Sequence, residues 1–334
     1  MGVPPALASR ANALLNTDQP APRSVLEKRN RAQALARSLE DLLASEGYLA
    51  AQVSPADFTT LEASAALNVD PGPLFTVLSV SLNGAELLDP ETRKLIDGQL
   101  TRLPAGSIVK ALEVERIEAE IVTTLQMRGY AFATSPGIDA LASREDANVE
   151  ITYTVDPGPL VRLGDLQSDE TNPRSQKAIQ VLKTWREGAT YNPRTIDRLR
   201  SRLRSSGLYE GIGVVVSREP DADGYHTVDL TLTEAKPRSL SFGVSGSTTE
   251  GIGADATWEK RNITGRADKV TVSAEAATLA RSLTAAYERP NIGRFGRTLT
   301  TEAGVRQEET QAYDLEGAKI AATLSQPFTR QLTL

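Results

Sequence analysis

The sequence predicts an α+β chain in which tandem β-α-α-β-β modules give way to an all-antiparallel β region. Three observations predict it. A junction phrase, Val69-Asp70-Pro71-Gly72-Pro73-Leu74, returns as Val155-Asp156-Pro157-Gly158-Pro159-Leu160, a copy about 86 residues on, which marks one folding unit repeated in tandem. Three closing turns, Gly47-Tyr48, Gly129-Tyr130 and Gly207-Leu208-Tyr209, keep a similar period of about 80 residues. After Pro237 the rhythm changes to uninterrupted two-residue alternation, the mark of strands with two unlike faces. A tandem array joined to a β-only segment suits the handling of other polypeptides and offers no evident reaction centre.

The first module, residues 1–73, lacks an opening strand. Leu35, Leu39 and Leu42 mark its second helix and Leu61 to Val69 its last strand. The second module, 74–159, is the cleanest. Phe75 to Leu82 alternates into an Asn83-Gly84 turn, and Asp89-Pro90 supplies an N-cap and a first-turn proline for a helix to about Leu103. Val114, Ile117, Ile121 and Leu125 recur three and four apart, one buried helical stripe. Gly129 ends that helix, and Tyr130 onward and Asn148 to Val155 read as two strands. The third module, 160–237, repeats the order. It has a strand over Leu160–Leu166, a helix over Pro173–Trp185 and a second helix capped at Asn192-Pro193 with Ile196, Leu199 and Leu203 inward. A hairpin of Val214-Val215-Val216 and Val228–Leu232 closes it.

From residue 238 to 334 six strands and the start of a seventh follow. Leu240, Phe242 and Val244; Ile252, Ala254, Ala256 and Trp258; Val270, Val272, Ala274 and Ala276; Leu283, Ala285 and Tyr287; and Leu299, Thr301, Ala303 and Val305 each alternate with Ser, Thr, Gly, Lys or acidic residues. The sixth strand, Tyr313 to about Gln326, changes apolar parity near Gly317-Ala318, which predicts a bulge. Leu332 and Leu334 open the seventh. Strands of about 9–11 residues with one apolar face fit a transmembrane barrel, lipid outside and polar lumen inside. A soluble β-sandwich gives the same alternation with its apolar face turned inward. A membrane barrel needs at least about eight strands to close, so the chain is expected to end within that domain.

Composition removes several classes. A net charge of −6 argues against nucleic-acid binding, which needs a basic field. With 0 Cys and 1 His there is no disulfide, thiol nucleophile or multi-His metal centre, and no cofactor is expected. His226, after the Asp221–Gly224 turn, is expected to be an exposed strand residue. Gly251-Ile252-Gly253-Ala254-Asp255-Ala256 fits a loose dinucleotide pattern, but it lies inside an alternating strand rather than between strand and helix. Gly243–Ser247 lacks the nucleophile-elbow spacing, and Asp221 and Asp223 lack the further ligands of a calcium loop. An enzyme is not expected. No run of about 18 apolar residues predicts a membrane helix. The first forty residues hold no apolar signal-peptide core, so the chain is expected to start downstream of a natural N-terminus.

These features resemble the outer-membrane assembly family that includes BamA and TamA, in which POTRA modules precede a barrel. The residues that carry the resemblance are the turns Glu46-Gly47-Tyr48, Arg128-Gly129-Tyr130 and Ser206-Gly207-Leu208-Tyr209, the two Asp-Pro-Gly-Pro junctions, and the hairpin Trp258–Gly265. The resemblance implies tandem POTRA modules followed by the first six to seven strands of an incomplete antiparallel transmembrane β-barrel. It also implies a place in the outer membrane of a Gram-negative bacterium with the modules in the periplasm. Three modules are similar to the TamA branch; a truncated start keeps the BamA branch open.

The implied function is the folding or insertion of outer-membrane β-barrel and autotransporter polypeptides, with a TamB-like inner-membrane-anchored partner and outer-membrane lipid as further contacts. A strand edge with unpaired backbone groups can accept an incoming strand with little sequence demand. In the last module the candidate edge is Tyr209 to Ser217, including Val214, Val215 and Val216. The other is the first barrel strand, with Ser239, Leu240, Ser241, Phe242, Gly243 and Val244. Gly243 and Gly246 fit weak pairing, and equally the relief of crowding in a curved wall. Arg194, Arg198 and Arg202, with Arg200 and Arg204, cluster on the helix before the Tyr209 strand, where they would either meet anionic headgroups or form an ordinary solvated face. Rival readings are a two-partner-secretion-type pore that passes its client through the lumen, and a soluble periplasmic binding protein with a β-sandwich.

Overall fold

The structure, a computed structural model, describes residues 2–15, 22–56, 66–247, 251–293, 296–309 and 314–326. It divides into two compact units, 1–160 and 161–334.

The first unit opens with a 3-10 turn, Pro5–Leu7, then α1 (Ala8–Leu15), α2 (Val25–Ser45), β1 (Gln52–Pro55) and β2 (Leu67–Asp70). Ser24 caps α2 by accepting from the Glu27 amide at 3.1 Å. Ala36, Leu39 and Leu43, three and four apart, face a small core with Leu7, Ala11 and Val53. β1 and β2 pair antiparallel; residues 61–65 of the expected last strand lie outside the described residues.

Next come β3 (Thr76–Asn83), α3 (Pro90–Leu100), α4 (Ala111–Met127), β4 (Thr134–Ser143) and β5 (Asn148–Asp156). The sheet order is β3-β5-β4, with β3 parallel to β5 and β4 antiparallel to it. Val149, Ile151, Tyr153 and Val155 alternate inward from β5 against Val114, Ile117, Ile121 and Leu125 of α4 and Ile96 of α3. The Tyr153 hydroxyl satisfies itself by donating to the Val114 carbonyl at 3.1 Å. Asp89 caps α3, accepting from the Thr92 amide at 2.9 Å and its hydroxyl at 2.6 Å.

The tandem repeat is visible in atomic detail. Gly47 and Gly129 end their helices at φ +100° and +109°, a left-handed turn that only glycine adopts cheaply. The following tyrosine amides then bond back to Leu43 and Leu125, each at 3.0 Å. At the two Asp-Pro-Gly junctions the glycine amide donates to the preceding aspartate, Asp70 at 3.2 Å and Asp156 at 3.1 Å.

The second unit begins with β6 (Arg162–Ser168), α5 (Pro173–Leu182), β7 (Ala189–Thr190), α6 (Pro193–Ser205), β8 (Tyr209–Pro220) and β9 (His226–Glu234). Asn172 and Asn192 cap α5 and α6, each with proline following. The sheet order is β7-β6-β9-β8, with β6 parallel to β9 and β8 antiparallel to it. His226 is buried, not exposed as its turn-adjacent position suggests. The register shifts between Val216 and Pro220, and the resulting bulge brings the Ser217 carbonyl to within 2.9 Å of His226 Nδ1.

Six antiparallel strands follow: β10 (Arg238–Ser247), β11 (Gly251–Arg261), β12 (Lys269–Ala277), β13 (Ala280–Arg289), β14 (Thr298–Glu309) and β15 (Asp314–Ser325). They form one meander in chain order, with no pairing between β10 and β15 among the described residues. The bulge expected near Gly317 is absent, because β14 and β15 keep one register from Glu309↔Asp314 to Thr298↔Ser325. The parity change has a simpler cause: Leu315 lies on the polar face, opposite Glu308. Residues 332 and 334 lie outside the described residues. No described helix is long and apolar enough to cross a membrane.

Candidate strand-docking edges and an exposed apolar face

The strand register shows what alternation alone leaves open, namely which residues share a face across the whole sheet. One transverse row runs Leu240↔Trp258↔Val272↔Ala285↔Ala303↔Ile320. The next row of the same face runs Phe242↔Ala256↔Ala274↔Leu283↔Val305↔Ala318. Every member of both rows is apolar.

This face is bare. Phe242 is 76% exposed, Val244 90%, Ile252 81% and Ile320 90%. On β13 the apolar-face residues Arg281, Leu283 and Ala285 are exposed, whereas Ser282, Thr284 and Ala286 behind them are half-buried. On β13 the polar face is therefore the more sheltered one, the reverse of a water-soluble sandwich. Its charges meet each other: Lys269 with Glu288 at 3.1 Å, Lys319 with Glu302 at 3.2 Å, and Arg261 with Glu259 at 2.6 Å.

The apolar band does not run straight across the strands. On β11 it spans Ile252 to Trp258 and stops at Lys260, whose row continues through Val270, Tyr287, Thr301 and Ala322. By β14 and β15 it reaches Leu299 and Leu324, one row further. Its other margin moves the same way: Ala254 and Ala276 share a row with Arg281, Gln307 and Glu316. Both margins thus shift by two rows over four strands. That is a stagger of about one residue per strand. With about 3.4 Å per residue and about 4.8 Å between strands, it tilts the strands about 35° from the band's normal. Closed membrane barrels tilt their strands by about 35–45°.

The two sequence-predicted docking strands both lie at sheet edges among the described residues. β10 pairs along its length with β11 on one side, and β8 pairs with β9. Leu240, Phe242 and Val244 point to the bare apolar face, and Ser239, Ser241 and Gly243 to the polar one. Gly243 has a steric reason to be glycine, since a Cβ there would lie 2.3 Å from the Asp255 carboxylate of β11. Gly246 has none, as nothing lies within 4 Å of its missing Cβ.

On β8, Tyr209 and Val214 are core residues and Val215 is exposed. The Val214 carbonyl accepts from the Arg200 guanidinium at 3.1 Å. The buried Tyr209 hydroxyl has no hydrogen-bond partner among the described residues. Burial, followed by Glu170 and Glu234, pushes its pKa up.

The arginines of α6 separate. Arg194, Arg198 and Arg204 are exposed. Arg202 is half-buried and donates to the Leu182 and Lys183 carbonyls at 3.4 and 3.2 Å, at the C-terminal end of α5. Burial, then the neighbouring Arg198, lowers its pKa from the ordinary value. Sequence spacing places Arg202 opposite the apolar stripe; the packing of α5 beside α6 instead gives it a capping role. Among the described residues no cluster of three or more potential metal ligands occurs.

No family model matches the sequence. Among solved structures, the chain is similar to BamA from Haemophilus ducreyi lacking POTRA domains 1–3, with a TM-score of 0.60 and 19% identity over 76% of this chain and 47% of that one. The chain thus spans about half the length of the structure it matches. CdiB from Escherichia coli (TM-score 0.44, 15% identity, 99% of this chain and 57% of that one) and POTRA3–5 of Haemophilus influenzae BamA (0.41, 17%, 60% and 80%) are more remote. By its modules, its meander and its likeness to BamA, this chain has the BamA-type fold: tandem POTRA modules running into an unclosed, antiparallel run of β-barrel strands.

Proposed function

We propose that this protein is an assembly factor of the outer membrane of a Gram-negative bacterium, with its POTRA modules in the periplasm. It receives unfolded β-barrel and autotransporter polypeptides by strand addition. The observation that carries the reading is the tilted, uncovered apolar band on β10–β15. Leaving such a face in water is costly at about 25 cal/mol per Å² of apolar surface, and a bilayer covers it without any further protein. On β13 the band is bracketed by Arg281 and Arg289, a stretch of about 27 Å along an extended strand, which tilt brings close to the apolar height of a membrane barrel.

Among the described residues β10 lies at the sheet margin; backbone groups left unpaired on such an edge at bilayer depth cost several kcal/mol each. A client strand removes that cost by pairing, which gives the edge affinity without sequence preference. The β8 edge offers the same chemistry in water, where the cost is smaller and the docking correspondingly weaker. A count of three modules favours the TamA-like branch, with a TamB-like partner; further modules ahead of them would favour the BamA branch.

Photo-crosslinkers at Leu240 or Phe242, in cells exporting an autotransporter, are expected to trap client polypeptide. Trapping only lipid or the protein's own last strand would overturn the strand-addition role. The second reading, a secretion pore, is favoured by the sheltered, ion-paired polar face. It would be recognised by clients crosslinking to Thr257, Ser273 or Thr284 instead.

A further inference from the structure

The last POTRA module and the barrel strands belong to one compact unit, although the covalent link between them is only the short segment Ala235-Lys236-Pro237. Such a linker would ordinarily serve as a hinge. Here it is held on both sides. The Ala235 amide donates to the Leu208 carbonyl at 2.8 Å, and the Arg261 amide to the Pro237 carbonyl at 2.9 Å.

A second connection lies in the turn between β11 and β12. Gly265, at φ +78°, sits so close to the first turn of α5 that a Cβ would lie 3.1 Å from the Arg174 carbonyl. The neighbouring Ser175, itself buried, hydrogen-bonds through its hydroxyl to Glu234 at the end of β9. The turn thus rests on the helix that is tied to the strand leading into the linker.

The turn is held in shape by one fully buried acid. Asp268 is 0% exposed. Its Oδ1 accepts from the Thr264 amide at 3.0 Å, its Oδ2 from the Tyr287 hydroxyl of β13 at 3.0 Å, and its own carbonyl from the Asn262 amide at 2.6 Å. Burial pushes the Asp268 carboxyl up, and the hydrogen bonds from Thr264 and Tyr287 outweigh it, so it lies below the usual carboxylate range. The turn also holds Asn262 and Ala267 at φ +53° and +58°. An alanine adopts that conformation only at a cost, which the bonds around Asp268 offset.

We propose that residues 262–268 form a clamp that fixes the last POTRA module against the root of the β10–β11 hairpin, with Asp268 as its positioning residue. The clamp removes the hinge at residues 235–237. The direction in which the β8 edge presents a polypeptide to the barrel strands is then set by this turn. That last consequence rests on the proposed strand-docking role of β8; the clamp itself concerns the junction alone.

The chain has 0 Cys, so two introduced cysteines are its only labelling sites. Spin labels at Asp223→Cys, on the exposed β8–β9 hairpin tip, and at Ala285→Cys, on β13, report the module-to-barrel distance in the reconstituted protein. The parent is expected to give one narrow distance distribution. Asp268→Ala and Gly265→Val, which break the clamp from opposite sides, are expected to lose it for a broad one while barrel melting stays unchanged. Gly293→Val, at another left-handed turn (φ +67°) with nothing within 4 Å of its missing Cβ, is expected to keep the narrow distribution. Tyr287→Phe, which removes a single hydrogen bond, stands in for Asp268→Ala should that variant fail to fold, and is expected to broaden the distribution. Narrow distributions in both clamp variants would overturn the proposal. So would equal broadening in Gly293→Val, or broadening seen only where the barrel itself has melted.

Discussion

Single side chains decide more here than their spacing suggests. Asp89 is an N-cap legible from Asp-Pro alone, and its replacement by alanine is expected to cost about 1 kcal/mol. Loss of amide protection at Thr92 and Arg93 in hydrogen exchange would measure it. The Thr92 hydroxyl, then its amide, holds the Asp89 carboxyl below its ordinary pKa. A depressed folded-state value means the cap contributes fully above the unfolded aspartate value of about 3.9. The contribution is lost as pH falls through the folded value. The difference in α3 protection between the parent and Asp89→Ala should therefore be full at neutral pH and vanish in strong acid; a difference independent of pH would contradict this. Tyr209 is the opposite case. Its buried hydroxyl has no partner among the described residues, and such a group costs about 1–3 kcal/mol. Tyr209→Phe is expected to leave chemical-denaturation stability unchanged or raised, and a clear loss would show that the hydroxyl is satisfied in solution. Neither this nor the burial of His226 was legible in the sequence, because each lies beside its own register shift in β8, at Tyr209/Gly211 and at Val216/Pro220, that no local pattern announces.

Elements were far more legible, for physical reasons that differ by type. The helices carry caps and three-to-four stripes, as at Asn172, Asn192 and Val114–Leu125. The strands of the barrel region carry a period of two, which holds within the band because that stretch of one face must stay apolar. What alternation could not give was the direction in which that face points, or its diagonal course. Both are properties of register between strands, and register is set by the turns. They yield an expectation of opposite outcomes one residue apart. Ala285→Arg, on the bare face, is expected to lower folding stability in bilayers by about 2–4 kcal/mol. Thr284→Arg, on the sheltered polar face, is expected to have little effect. Urea unfolding from liposomes with gel mobility as readout separates the two, and equal effects would mean that the faces are not distinguished by lipid. On β10, Gly243→Val is expected to displace the Asp255 carboxylate and weaken β10–β11 pairing, whereas Gly246→Val meets open space. Faster exchange of β10 amides in the first variant alone would confirm the difference.

At the scale of the whole molecule, the junction phrase and the closing turns announced the tandem modules, since a copied unit copies its turns. The clamp at residues 262–268 was not legible. Its parts, Arg174, Glu234, Asp268 and Tyr287, are separated in sequence and meet only through packing. An outer-membrane role requires the bare face of β10–β15 to lie against lipid. Single-cysteine scanning of positions 281–289 with spin labels, in the protein reconstituted in liposomes, tests this most directly. Positions 283 and 285 are expected to be relaxed strongly by oxygen, which concentrates in the bilayer, and positions 282, 284 and 286 by a water-soluble nickel chelate. Uniform accessibility along β13, or odd positions shielded from both reagents as in a protein core, would contradict it.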